Sequence, residues 1–274
     1  MEIDFHIHSR HSDGVLEVSE IIELAQSRGL REFSITDHDT LEAYSESSVL
    51  DLKGMKLVPG CEFSSIWKGR TVHIVGLNLD IASDVMRDAT TAQAKAREQR
   101  SIQIADKLES RGMPGALEGA RKYAKGAVLG RPHFASYLID EGFAKDSCQA
   151  FRKFLGDGKI GDVKTHWRSV EEVVSWINRA SGVAVLAHPL KYGMTQTKLR
   201  ELLVEFTAAG GSAIEVVSGA QTPDQIQQLA LLAAHFGLLS SAGSDFHRPG
   251  QSWADLGVVQ PLPAGCIPVW SLWR

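Results

Sequence analysis

The stretch Asp4-Phe5-His6-Ile7-His8 reads as a short strand that runs into the polar loop 9–14. Alternate residues of a strand share a face, so His6 and His8 project side by side while Phe5 and Ile7 face the other way. Adjacent imidazoles suit a shared divalent metal. Further along, the same device recurs: an apolar strand, then His, Asp or Glu at its end or just beyond it.

Past the loop, periodicity predicts a helix from about Val18 to Arg28 and a strand at Glu32-Phe33-Ser34-Ile35, ending in Thr36-Asp37-His38-Asp39. A helix over Leu41 to Leu52 and a strand at Lys56 to Val58 lead into Gly60-Cys61-Glu62. Phe63 to Trp67 and Thr71 to Leu77 read as a hairpin that carries His73. From about Ser83 strand signals fade into a long helical stretch, shorter helices and a Gly-rich segment at 156–161. The alternation then resumes, with capping boxes at Ser169-Val170-Glu171-Glu172 and Thr222-Pro223-Asp224-Gln225. Strands are predicted at Val183 to Ala187, Ala213 to Val217 and Leu238 to Ser240. Repeated strand–helix units imply an α/β fold with a mostly parallel sheet, which a barrel accommodates. Residues 1–82 and 162–274 would build it, and 83–161 would be a helical insertion capping the site.

Composition narrows the function. The 274 residues carry 43% hydrophobic and 23% charged side chains and a net charge of -4. That balance disfavours a long nucleic-acid track but leaves room for a local basic site. The N-terminus lacks a basic, apolar leader and no apolar run reaches membrane length, so no membrane association is expected. The widely spaced Cys61, Cys148 and Cys266 suit a reduced cytoplasm. Oligomeric state is not legible.

The candidate ligands are His6, His8, Asp13, His38, Glu62, His73, His188, Asp245 and His247. In a parallel α/β barrel strand ends converge on one face, so separate segments can pool their side chains. Imidazole and carboxylate form an N/O set suited to Mn, Fe or Zn. Nine ligands exceed one tetrahedral ion and suit two or three, with Glu62 as a bridging candidate. Three dications against three carboxylates leave an electropositive site, ready for a phosphate. Clustered metals activate water and neutralise attacking and leaving oxygens.

These motifs, His6-Ile7-His8 with Ser12-Asp13-Gly14, Thr36-Asp37-His38, Gly60-Cys61-Glu62, His73, His188-Pro189 and Ser244-Asp245-Phe246-His247, resemble in order those of the PHP (polymerase and histidinol phosphatase) superfamily. The resemblance covers nearly the whole chain. It implies a distorted (β/α)7-type, TIM-like barrel with a helical insertion and a two- or three-metal centre, commonly manganese. Within the superfamily the chain is most similar to phosphoesterases that remove the 3′-phosphate of nucleoside 3′,5′-bisphosphates. The resemblance assigns His6, His8, Glu62 and Asp245 to one metal, Glu62, His73 and His188 to a second, and Asp13, His38 and His247 to a third. It also implies a metal-bridging hydroxide, held by Glu62 and neighbouring ligands, as the nucleophile.

A second phosphate needs its own cation. Arg131-Pro132-His133 starts an insertion helix and matches the family's substrate-binding Arg, so Arg131 and His133 are the first candidates. Lys191 follows, where relatives tend to carry Gly-Arg; a Lys offers a point charge and no bidentate fork. Arg97 and Arg100 are further candidates, although charged residues of long helices ordinarily lie on a solvated face. Rival readings are a 5′ to 3′ exoribonuclease on short 5′-phosphorylated RNA, a histidinol phosphatase, and a metal-bound module without turnover.

Overall fold

Nine strands and nine α-helices make up the described part of the chain, residues 2–48, 50–164, 166–219 and 221–273 of a computed structural model. The first unit is β1 (Ile3–Ile7), α1 (Val18–Ser27), β2 (Glu32–Ile35), α2 (Glu42–Ser47) and β3 (Lys56–Leu57). Next come the hairpin strands β4 (Gly60–Trp67) and β5 (Arg70–Leu77). The helical stretch holds α3 (Asp84–Glu109), α4 (Ala116–Ala124), α5 (Arg131–Asp140) and α6 (Ser147–Ala150). The last run is β6 (Arg168–Ser169), α7 (Val170–Arg179), β7 (Val183–Leu186), α8 (Gln196–Ala208), β8 (Ala213–Ser218), α9 (Pro223–Phe236) and β9 (Leu239–Gly243).

Local chemistry explains the boundaries. Both expected capping boxes form, at Ser169 with Glu172 and at Thr222 with Gln225. Helix α2 stops well short of Leu52. Ser47 and Ser48 turn their hydroxyls back onto the carbonyls of Tyr44 and Ser45, a local bond that competes with helix propagation. Lys53 and Gly54 then take positive φ and turn the chain.

The strands make two sheets, β1-β2-β3 and β6-β4-β5-β7-β8-β9. All ladders are parallel except those of β5, which the tight hairpin forces to run antiparallel to β4 and β7. The expected barrel is not closed by these ladders among the described residues; the sheets meet only through single bridges. At one edge His8 N donates to Phe246 O (2.8 Å) and Phe246 N to His6 O (3.3 Å). At the other, a bridge pairs His38 with Glu62, and Asp39 N donates to Glu62 O (3.0 Å). A register shift in β1 between Asp4 and Ile7 breaks the regular ladder at the point where the histidines begin.

The main core lies between the larger sheet and α7, α8 and α9, and Phe5 packs against Trp270 and Trp273 of the C-terminal tail. Ile7 belongs instead to a smaller cluster under α1. The helical stretch buries its own cluster, including Ile104, Phe134, Leu138 and Leu155.

Candidate metal centre

Both seams between the sheets bring ligands inward. His6 and His8 leave β1 on the same face, buried, with their Nε2 atoms 3.1 Å apart. Imidazoles adopt that separation when one proton or one cation lies between them. Gly243, the last residue of β9, permits the approach: a Cβ there would meet the His6 Cβ at 2.4 Å and the His6 nitrogen at 2.7 Å. The chain then turns through Asp245 (φ 55°), and His188 has φ 26°. Left-handed backbone at non-glycine residues costs on the order of 1–3 kcal/mol each and is held only where surrounding structure enforces it.

Glu62 is the hub. Its Oε1 accepts from His188 Nε2 (2.8 Å) and His73 Nδ1 (2.9 Å). Its Oε2 is buried and makes no regular hydrogen bond, yet His38 Nδ1, His6 Nε2 and His8 Nε2 lie 3.0, 3.2 and 3.3 Å away. Asp13 repeats the pattern on the far side. Its Oδ1 also lacks a regular hydrogen bond, with His247 Nε2 at 3.3 Å and His38 Nε2 3.7 Å from its other oxygen. Asp245 Oδ1 lies 3.4 Å from both His6 and His8. Buried polar atoms this close without hydrogen-bond geometry are costly unless a cation joins them. The donor set fits divalent metal, and the ligand atoms fall into overlapping groups: His8, Asp13, His38 and His247; His6, Glu62 and His188; His6, His8 and Asp245; His38, Glu62 and His73.

Electrostatics agree. Burial pushes the Glu62 carboxyl up, but His38, His6 and His73 override it and hold it well below the usual carboxylate range. Asp13 and Asp245 are likewise held low against burial, by His247 and His38 and by Lys191 and His6. Burial lowers His8, while Asp245 and Glu62 more than offset this and bring it up to about 10. Positive charge is thus favoured where the carboxylates converge. Burial drives His38 down to about 4, which keeps it in the neutral form that ligates.

The nine ligand candidates therefore meet at one place. The cations expected for substrate part company. Arg97 is buried, donating from Nε to Asp39 (2.6 Å) and from its terminal nitrogens to Ser64 Oγ and Leu129 O (both 3.1 Å). It ties α3 to the end of β2. Arg100 is also buried, not solvated; it donates to Val163 O (2.8 Å) and lies over the Trp167 ring. Arg131 donates to Leu155 O (3.1 Å). Arg97, Arg100 and Arg131 face Asp13, His38 and His73 across a cavity of about 130 Å³. Lys191 forms an ion pair with Asp245 and does not line that cavity. His133 closes the cap of α5, its Nδ1 accepting from Gly130 N (3.0 Å).

Several supporting carboxylates escaped the sequence reading. Glu215 in β8 accepts from His6 Nδ1 (2.6 Å) and His188 N (2.6 Å). Asp37 accepts from the hydroxyls of Ser9 and Ser12 (both 2.5 Å), which shape the loop carrying Asp13. Asp4 accepts from Ser244 N (2.8 Å) and Gly257 N (2.9 Å), and burial brings its carboxyl up to about 6. The signal was present: an acid inside an apolar strand, as in Ala213-Ile214-Glu215-Val216-Val217, must have a buried partner.

This geometry has known counterparts. The PHP domain matches residues 4–179. A 5′-3′ exoribonuclease of Haemophilus influenzae is 41% identical over 98% of this chain and 97% of its own. A 3′,5′-nucleoside bisphosphate phosphatase of Chromobacterium violaceum is 40% identical over 98% of this chain and 95% of its own. A solved amidohydrolase structure from Chromobacterium violaceum, with bound sulfate and no metal, superposes with a TM-score of 0.92 at 39% identity, covering 99% of this chain and 95% of that one. With its ligand motifs converging as they do, the chain belongs to the PHP domain family.

Proposed function

We propose that this protein is a metal-dependent phosphoesterase that removes the 3′-phosphate from nucleoside 3′,5′-bisphosphates. The observation that carries the reading is the small arginine-lined cavity abutting the ligand cluster, which gives a second phosphate a place of its own. His6, His8, Glu62 and Asp245 would hold one ion, Glu62, His73 and His188 a second, and Asp13, His38 and His247 a third; manganese suits this N/O set. Divalent ions at such a centre supply an activated water near neutral pH and offset charge on the phosphoryl oxygens. The protein's own share is positioning. Arg131 and Arg100 hold the second phosphate, Trp167 backs the Arg100 guanidinium, and the cavity's small size keeps long ligands out of it. Arg97 keeps the cavity wall in place through Asp39. We read residues 83–161 as the cap over the site and the two bridged sheets as a distorted barrel. The three cysteines are unpaired, which fits a cytoplasmic protein.

Incubating the manganese-loaded protein with adenosine 3′,5′-bisphosphate tests the proposal. Release of one phosphate, leaving the 5′-monophosphate, is expected; no release would overturn it. A second reading, 5′ to 3′ exoribonuclease on short RNA, is favoured by the relative of that name and by a wide groove that meets the same centre.

A further inference from the structure

That groove, about 770 Å³, runs between the loop after β1 and the helical segment. Asp13 and Pro132 line both it and the arginine cavity, so the two spaces meet beside the ligand cluster. One wall is the loop 10–17 with Arg248. Val15 N donates to His247 O (2.9 Å), fixing that wall to the segment after β9 that carries two ligands, and Arg10 N to Leu16 O (2.8 Å) closes the loop on itself. The other wall is the end of α4, with Tyr123 and Lys125, and the first turns of α5.

The groove's cations are not equivalent. Arg10 is held by Glu17 at 2.5 Å. Lys125 and Arg248 are exposed and form no ion pair among the described residues. Lys125 has φ 50°, a backbone region that favours glycine, yet a long cationic side chain stands there over the groove. Glu17 and Glu42 also line the space, so its positive character is local and any track is short.

Size separates the two spaces. A nucleoside bisphosphate needs a place for each of its two phosphates, which the small cavity and the metal centre supply. A chain that continues past its 3′-phosphate must leave the centre by another route, and the groove begins there. We propose that the groove binds the few nucleotides 3′ of the scissile phosphate in short single-stranded RNA. Lys125 and Arg248 contact the backbone, and half-buried Tyr123 offers an aromatic wall. Phosphate contacts of this kind are sequence-independent and weaken with salt, and aromatic faces accept any base. This inference rests on the nucleotide phosphoesterase reading above.

The test separates the two. Binding of a 5′-phosphorylated phosphorothioate tetraribonucleotide, labelled at its 3′ end, is measured by fluorescence anisotropy for the wild-type protein and for Lys125→Glu/Arg248→Glu. Hydrolysis of adenosine 3′,5′-bisphosphate is measured on the same samples. We expect at least tenfold weaker binding by the variant, a smaller salt dependence, and bisphosphate hydrolysis within twofold of wild type. Equal tetranucleotide affinity of the two proteins overturns the groove. So does a parallel loss of bisphosphate hydrolysis, which would place both residues in the mononucleotide site. Absent bisphosphate hydrolysis in the wild type overturns the reading of the centre, while the anisotropy comparison still decides the groove.

Discussion

His6 Nδ1 lies 2.6 Å from Oε1 of Glu215, and both side chains are buried. The carboxylate accepts the hydrogen bond from Nδ1–H and leaves the Nε2 lone pair to face Glu62 and Asp245, the tautomer a metal requires. Its other oxygen accepts from His188 N, so one side chain sets two ligand-bearing segments. Glu215→Gln keeps the shape but has only one acceptor oxygen for two donors. Manganese affinity measured by calorimetry should fall roughly 10–100-fold, as outer-shell changes typically do. Nitrogen NMR should show His6 shifted away from the Nδ1-protonated form. Unchanged affinity with an unchanged tautomer would remove this role.

Arg131 and Arg97 should behave oppositely, although one cavity holds both. For Arg131→Ala we expect kcat/KM on adenosine 3′,5′-bisphosphate to drop about 10–100-fold, the worth of a charged hydrogen bond, and to change little on the 3′-monophosphate. Equal losses on the two substrates would cancel its phosphate role.

Arg97→Ala instead leaves Asp39 buried without its ion-pair partner. Breaking a buried pair from one side costs about 3–5 kcal/mol, to be read from the urea midpoint. A loss under about 1 kcal/mol would show that Asp39 finds another partner.

The third ion is open to direct count. Asp13→Ala should lower the metal content by one equivalent in elemental analysis, because His38 and His247 lose the carboxylate between them. Retention of the full content would mean that Asp13 is not a ligand.

Gly243→Ala drives a methyl group into the backbone of His6. Overpacking of this kind costs about 1–3 kcal/mol, and here the strain falls on a ligand. Lower stability by denaturant titration together with weaker manganese binding is expected. A variant as stable as wild type would show that β1 and β9 can separate without harm.

Periodicity and capping chemistry in the sequence placed most elements, including α1, the β4–β5 hairpin and α9, because those signals are local. The end of α2 was missed because serine hydroxyls decide it, and propensity counts them only weakly. The nine candidate ligands were legible because a polar residue at the end of an apolar strand has few structural uses.

By itself, then, the sequence determined which residues could bind metal and in what order the chain delivers them. Only the tertiary structure brought them together in space, with Glu62 meeting His188 from 126 positions away and the ligand atoms falling into overlapping groups. It also decided which arginines face the cavity, that Arg97 is spent on Asp39, and that Lys191 sits on Asp245. The physical reason is range. Helix and turn preferences act over a few residues, whereas the pairing of buried charges depends on which strand ends the packed sheets bring together.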